Sequence, residues 1–189
     1  MLEQARSGKK VVLFMDAAHF IFATFLGCLW SRTRCFLKSH AGRKRYNVLG
    51  ALNAVNKKVS FYTNDTTLGS LSVCKFLKQL YLEYYGNQIV IVLDNASYQR
   101  CKLVKRYAKL LGIELLFLPS YSPNMNLIER FWKYVKKGVL YSKFHNNYDM
   151  FKQQIDNYIE QAHIRDKGKL ETLLTCNFQS FYKVKLLPV

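Results

Sequence analysis

The chain has 189 residues, with 29 Lys and Arg against 12 Asp and Glu, a formal net charge of +17. Half of its residues are hydrophobic and 15% aromatic, which excludes a disordered chain and suits one compact domain, with or without a small helical appendage. A charge this far from neutral exceeds what solubility needs and points to a polyanionic partner, nucleic acid first of all.

Taken in order, Val11-Val12-Leu13-Phe14-Met15 is a short unbroken apolar run, the pattern of a strand buried on both faces. Residues 47–54 and 58–63 read as two further strands, joined through Val55-Asn56-Lys57 as a hairpin. Leu71, Phe76, Leu77, Leu80 and Tyr84 recur at helical spacing and predict a helix over about 68–85. Ile89 to Leu93 is a second fully apolar strand, ending at Asp94. A basic helix is expected over about 97–111, closed by Gly112, then a strand over 113–118 stopped by Pro119. The next helix runs over about 127–137, and from Tyr148 onward the pattern is helical, with Phe151, Ile155, Tyr158, Ile159 and Ala162 on one face. Three strands followed by alternating helices and strands predict a mixed α/β sheet, an antiparallel meander continued by parallel strands, as in the ribonuclease H-like arrangement.

Residues 11–30 are apolar enough to suggest a membrane span, but Asp16 and His19 interrupt them, and a central Asp costs about 2.5–3.5 kcal/mol on insertion. No cleavage site follows. A soluble, cytoplasmic protein with no membrane association is expected. The five cysteines, Cys28, Cys35, Cys74, Cys101 and Cys176, are odd in number, have no CxxC spacing and sit mostly in apolar runs, as reduced thiols do. Cys28, Cys35 and His40 fit no zinc spacing well.

Twelve acids are few enough to weigh one by one. Glu3 lies in the tail; Asp149, Asp156, Glu160, Asp166 and Glu171 belong to solvated faces of the C-terminal helices; Asp65 suits a helix cap; Glu83 and Glu114 suit the surface. Asp16 and Asp94 differ, because each directly follows five buried apolar residues and so stands at the rim of the sheet, where open α/β sheets bind ligands. Glu129 lies early in its helix, beside the stripe Ile128, Phe131, Trp132 and Val135. It has a competing local role, since Asn126-Leu127-Ile128-Glu129 is a capping box in its own right. Brought together, three carboxylates are not simply structural: two about 4 Å apart repel by ~4 kcal/mol at an effective dielectric of 20. A divalent cation relieves that repulsion, and hard oxygen ligands suit Mg2+ or Mn2+. Two such ions can activate an attacking oxygen and stabilise a leaving one in phosphodiester chemistry.

Phe14-Met15-Asp16, Leu93-Asp94-Asn95-Ala96 and the run Leu118-Pro119-Ser120-Tyr121-Ser122-Pro123-Asn124-Met125-Asn126-Leu127-Ile128-Glu129-Arg130-Phe131-Trp132 resemble the catalytic domain of an IS630-type transposase of the Tc1/mariner superfamily. The 34 residues between Asp94 and Glu129 match that superfamily's spacing, and Asn47 to Leu52 is similar to its second strand. The resemblance covers about residues 9–140. It implies a ribonuclease H-like DDE catalytic domain there, preceded by a tail (1–8) and followed by a helical extension packed on it (141–189). It further implies Asp16, Asp94 and Glu129 as catalytic metal ligands for Mg2+ or Mn2+, with Asn95 supporting them. The implied reaction is strand cleavage at element ends followed by attack of a freed 3′-hydroxyl on target DNA. Two departures stand out: Ala17 follows the first acid where relatives often have a second acid, and Leu127 replaces the usual proline. Neither removes a ligand.

Basic clusters flank every acid: Arg43-Lys44-Arg45 before the second strand, Arg100, Lys102, Lys105, Arg106 and Lys109 after Asp94, and Lys133, Lys136 and Lys137 on the face of Glu129. Together they suggest a channel tracking the phosphates of double-stranded DNA. Tyr121 could stack on a base, whereas Trp132 belongs to the core stripe. Relatives carry helix-turn-helix modules before the first acid, where this chain has 15 residues, so a separate or frameshift-fused DNA-binding part and a homodimer in the active form are expected. Two further readings stay open to the sequence: another ribonuclease H-like nuclease, or a truncated, inactive remnant that only binds DNA.

Overall fold

In the computed structural model, which describes residues 2–23, 32–33, 44–119, 125–141 and 143–175, the elements assemble around the strand β1 (Val11–Ile21). On one side β2 (Arg45–Asn53) pairs with it antiparallel, and β3 (Val59–Asn64) pairs antiparallel with β2. On the other side β4 (Ile89–Leu93) runs parallel to β1, and β5 (Glu114–Phe117) parallel to β4. The resulting order, β3-β2-β1-β4-β5, is the mixed ribonuclease H-like sheet predicted from the order of elements. The helices are α1 (Leu2–Arg6), α2 (Ser70–Glu83), α3 (Lys102–Leu110), α4 (Leu127–Val139), α5 (Tyr148–Arg165) and α6 (Lys167–Leu173).

The two-residue period of the strands sorts the core into two layers. Leu13, Met15, Leu49, Ala51, Ile91 and Leu93 face Val73, Phe76 and Leu77 of α2 and Val104 and Ala108 of α3. Val12, Phe14, Val48, Leu52, Val90 and Val92 face the other way, toward Ile128, Phe131, Trp132 and Val135 of α4, with Phe151 and Ile155 of α5 in the same cluster. Burial on both faces explains why β1 and β4 read as continuous apolar runs rather than alternating ones.

Three expectations shift. β1 does not end at Asp16: it continues to Ile21 because β2 accompanies it, with Ile21 opposite Arg45. Only its parallel half stops near Met15, where β4 ends at Leu93. The basic helix α3 begins at Lys102, not near 97, because the amides of Gln99 and Arg100 both turn back to the Ala96 carbonyl. A five-residue helix, α1, occupies what the sequence suggested was a tail. The hairpin between β2 and β3 forms as expected: the Asn53 side chain accepts the amides of Val55 (2.9 Å) and Asn56 (3.2 Å), and Lys57 takes φ 59°. Gly112 closes α3 at φ 68°, a conformation open to glycine at no steric cost. Cys28, Cys35, His40, Arg43, Tyr121 and Cys176 lie outside the described residues. Among those described, no helix is long and apolar enough to cross a membrane.

Helix α4 packs directly on the sheet at Gly50, the β2 residue paired with Asp16. A Cβ at Gly50 would lie 2.6 Å from two carbons of the Trp132 ring and 3.2 Å from Ile128 Cδ1. The indole therefore rests on bare backbone. Gly50→Ala should lower stability by about 1–3 kcal/mol, read by denaturant or thermal unfolding, because a closely packed core resists an added methyl.

Candidate active site

Asp16 is the next residue on β1 after the Met15–Leu93 pair, and Asp94 is the next residue after β4 ends. Their backbones thus stand on neighbouring strands, ~4.8 Å apart in a regular sheet. Both continue the even-numbered alternation of Val12 and Phe14, and of Val90 and Val92, whose side chains face α4. Glu129 projects from the first turn of that helix. All three acids are half-buried.

Their electrostatics show that they share one environment. Burial, with the charges of Asp94 and Glu129 adding to it, pushes the Asp16 carboxyl up to about 7, against the opposing pull of the Ala17 amide and of Lys136. Glu129 is raised as well, by burial first and by Asp94, while Lys133 opposes the shift. The Asp94 Oδ1 accepts the amide of Ala96 at 3.1 Å.

The other acids are engaged elsewhere or exposed. Glu83 pairs with Lys58 (2.9 Å), Glu114 with Lys10 (3.8 Å), Asp65 and Asp149 with Lys152 (3.3 Å each), and Asp166 with Arg165 (2.7 Å). Asp156 accepts the Tyr46 hydroxyl at 2.8 and 2.9 Å. Glu3, Glu160 and Glu171 face solvent. Among the described residues, Asp16, Asp94 and Glu129 are the half-buried acids with neither a salt bridge nor a hydrogen bond from another side chain, since Asp156, also half-buried, is taken up by Tyr46.

The capping box weighed for Glu129 does not form. Asn126 stands at the N-cap of α4, yet its side chain makes no cap hydrogen bond. Its amide nitrogen instead donates to the Met15 carbonyl at 3.2 Å, and the residue is 2% exposed. The start of the helix bearing Glu129 is thereby tied to the strand residue directly before Asp16. Asn95 does not cap a helix either. Its amide donates to the Leu118 carbonyl at 2.5 Å, linking the loop after β4 to the end of β5.

The basic residues divide. The charges of Lys136 and Lys133 act on the acids without pairing with them, the former on Asp16 and the latter on Glu129. Lys137 lines a cavity between α4, α5 and α6. Arg100 is exposed on the turn that follows Asp94. Lys105 lies in the α3 layer, on the opposite face of the sheet, with its Nζ 5.3 Å from the centre of the Phe117 ring. Lys44 sits over Tyr148 (5.3 Å), and Arg45 opens β2 opposite Ile21, five residues along β1 from Asp16. The structure therefore gathers Lys133 and Lys136 at the acids and leaves Lys105 on another surface. Tyr98 is a neighbour that sequence reasoning missed: burial raises its phenol, with Asp94 and Asp16 adding. Its place four residues after Asp94 was the available signal.

The donor chemistry fits a divalent cation: three half-buried carboxylates, mutually repelling and lacking basic partners in direct contact. Among the described residues, however, no three acidic, imidazole or thiol groups stand close enough to grip one ion together.

Two outcomes are expected. In metal-free protein, Asp16 favours the folded state while protonated. That contribution is complete below the unfolded pKa near 4 and is lost as pH rises through about 7, up to about 4 kcal/mol in all. Unfolding curves from pH 4 to 8 in chelator should show this decline in the wild type and a flatter profile in Asp16→Asn. Asn126→Ala should cost about 1 kcal/mol of stability through the lost bond to Met15, measured the same way.

No curated protein matches the sequence. Among solved structures, the chain is similar to the Mos1 transposase in a paired-end complex with the left transposon end, at a TM-score of 0.68 and 15% identity, over 93% of this chain and 57% of that one. It therefore spans a little over half of that protein's length. It is also similar to the catalytic domain of Mos1 mariner transposase (TM-score 0.60, 14% identity, 92% of this chain and 83% of that one). A third similarity is to the catalytic core domain of BIV integrase (TM-score 0.54, 14% identity, 82% and 84%). These likenesses concern the fold. The profile of the DDE superfamily endonucleases matches residues 11–152, most of the chain, and the chain belongs to that family.

Proposed function

We propose that this chain is the catalytic part of a DNA transposase, cleaving strands at element ends and joining a freed 3′-hydroxyl to target DNA. The observation that carries the reading is the set of three half-buried acids without salt bridges, on two adjacent strands and the helix above them, in a chain of net charge +17. Structural proteins have no reason to concentrate repelling carboxylates in one half-buried place. A phosphodiester-cleaving enzyme that works with metal does.

Asp16, Asp94 and Glu129 are the residues that would hold Mg2+ or Mn2+, as two ions; such ions, when bound, activate the attacking oxygen and stabilise the leaving one. The Mos1 structures to which the fold is similar include paired-end complexes with Mn and with Mg. The protein's own contribution is placement. The end of the parallel pairing between β1 and β4 sets Asp16 beside Asp94, and Asn126 and Trp132 fix the helix that carries Glu129. Lys133 and Lys136 supply positive charge beside the acids, where a phosphate would enter. Preorganised charge of this kind needs little rearrangement during the reaction. Arg100, Lys44 and Arg45 extend the grip along the backbone; Lys105, in the α3 layer, is no longer part of it. Pairing of two copies on two ends, and a helix-turn-helix part that reads the end sequence, complete the proposed assembly.

The deciding experiment is metal-dependent nicking and strand transfer with element-end DNA, supplied with the element's own DNA-binding part. Asp94→Asn should reduce the rate at least 100-fold in Mg2+ while leaving the unfolding midpoint near the wild type; a fully active Asp94→Asn would overturn the assignment. Lys133→Ala should weaken DNA binding at every sequence tested. The slope of log affinity against log salt should become shallower by about 1, the mark of one lost phosphate contact.

A further inference from the structure

A cavity of about 400 Å³ opens between α4, α5 and α6, one helical turn from Glu129. Four cations line it, Arg130, Lys133 and Lys137 from α4 and Lys169 from α6, around the rings of Tyr134 and Tyr158. Among the described residues no carboxylate lines it. The remaining wall is apolar, supplied by Leu173.

The aromatic floor is built in. A Cβ at Gly138 would fall 2.1 Å from the Tyr158 hydroxyl and 2.2 Å from its Cζ, so Tyr158 lies against α4 only because position 138 is glycine. Its ring meets Tyr134 at 5.4 Å and 40°. Arg165, which does not line the cavity, backs the Tyr158 ring with its guanidinium carbon 4.1 Å from the centre. The Tyr134 hydroxyl donates to Asp166 and accepts from Arg165 at 3.1 Å, which holds that ring in turn.

A groove made for a duplex backbone alone would need cations and no aromatic floor. A ring of cations around flat apolar rings suits a group that is itself part anion and part flat ring. We infer that this cavity receives one unstacked nucleotide of the DNA strand, its phosphate among Arg130, Lys133, Lys137 and Lys169 and its base against Tyr134 and Tyr158. The inference rests on the proposed DNA-cleaving function and adds a subsite to it. Lys133 joins the two, since its charge acts on Glu129 while its side chain lines the cavity. The strand would then leave the acids along α4 and be gripped by α6, which gives the C-terminal helices a part in substrate binding.

The test uses two single strands of 12 nucleotides, identical except that one carries 2-aminopurine at its centre and the other an abasic site there. The wild-type chain should bind the first about 5- to 100-fold more tightly and quench its fluorescence, as stacking on aromatic side chains does. Tyr158→Leu and Leu173→Glu should bring that ratio close to one, with thermal unfolding confirming that each variant is folded. Equal affinity of the wild type for the two strands would overturn the inference, as would a ratio unchanged in both folded variants. Asp94→Asn should keep the preference. A wild type that nicks DNA but shows no base preference loses the cavity and keeps the function; one that shows the preference but never nicks keeps the cavity and loses the function.

Discussion

Helix α4 carries Glu129 to the face of the sheet from which Asp16 projects, and the Trp132 indole lying across the bare backbone of Gly50 sets how close it can come. Gly50 is also the residue paired in register with Asp16, so the seat of the Trp132 ring and the first acid occupy one rung of the sheet. Asn126 adds a second tie, from the start of the helix to Met15. Burial of an aromatic ring supplies most of the attraction, and the buried hydrogen bond supplies direction. With both in place, the position of the third acid follows from the sheet rather than from its own flexible side chain.

That seating brings an electrostatic cost with it. Asp16 is buried beside two like charges and is pushed up to about 7, while Lys133 and Lys136 offset the field without closing a direct pair on any of the three acids. A chain with a large positive surplus can tolerate such a site, because the surrounding basic residues offset its negative field. Elsewhere the scarce acids serve as local fasteners. Asp65 and Asp149 hold Lys152, and Asp156 accepts Tyr46 across 110 residues of sequence, pinning α5 to β2. The C-terminal helices are thus fixed to the sheet by polar contacts as well as by Phe151 and Ile155.

Much of the architecture was legible in the residues. The unbroken apolar runs at 11–15 and 89–93 read as strands buried on both faces, and Asp94 does emerge where β4 ends, whereas Asp16 stands inside β1, at the point where its parallel pairing with β4 stops. Helix ends were less legible. The start of α3 is not legible in the periodicity, because Ala96 captures two amides in a turn that helical spacing does not register. Nor is the continuation of β1 to Ile21, because a strand's length depends on its partner, and the run of apolar residues after Asp16 does not announce β2. The second role of Asn126 was hidden by a local pattern that made a capping box sufficient.

By itself, the sequence determined the fold class and the charge: period and order specify the mixed sheet, and composition sets the basic surplus, since both are properties of residue type and spacing. Tertiary structure decided which acids belong together, because adjacency across strands is settled by register and not by distance along the chain. It also decided which cations serve them. Lys105 and Lys136 both follow an acid motif in sequence, yet one lies in the α3 layer against Phe117 and the other acts on Asp16, because α3 and α4 cover opposite faces of the same sheet.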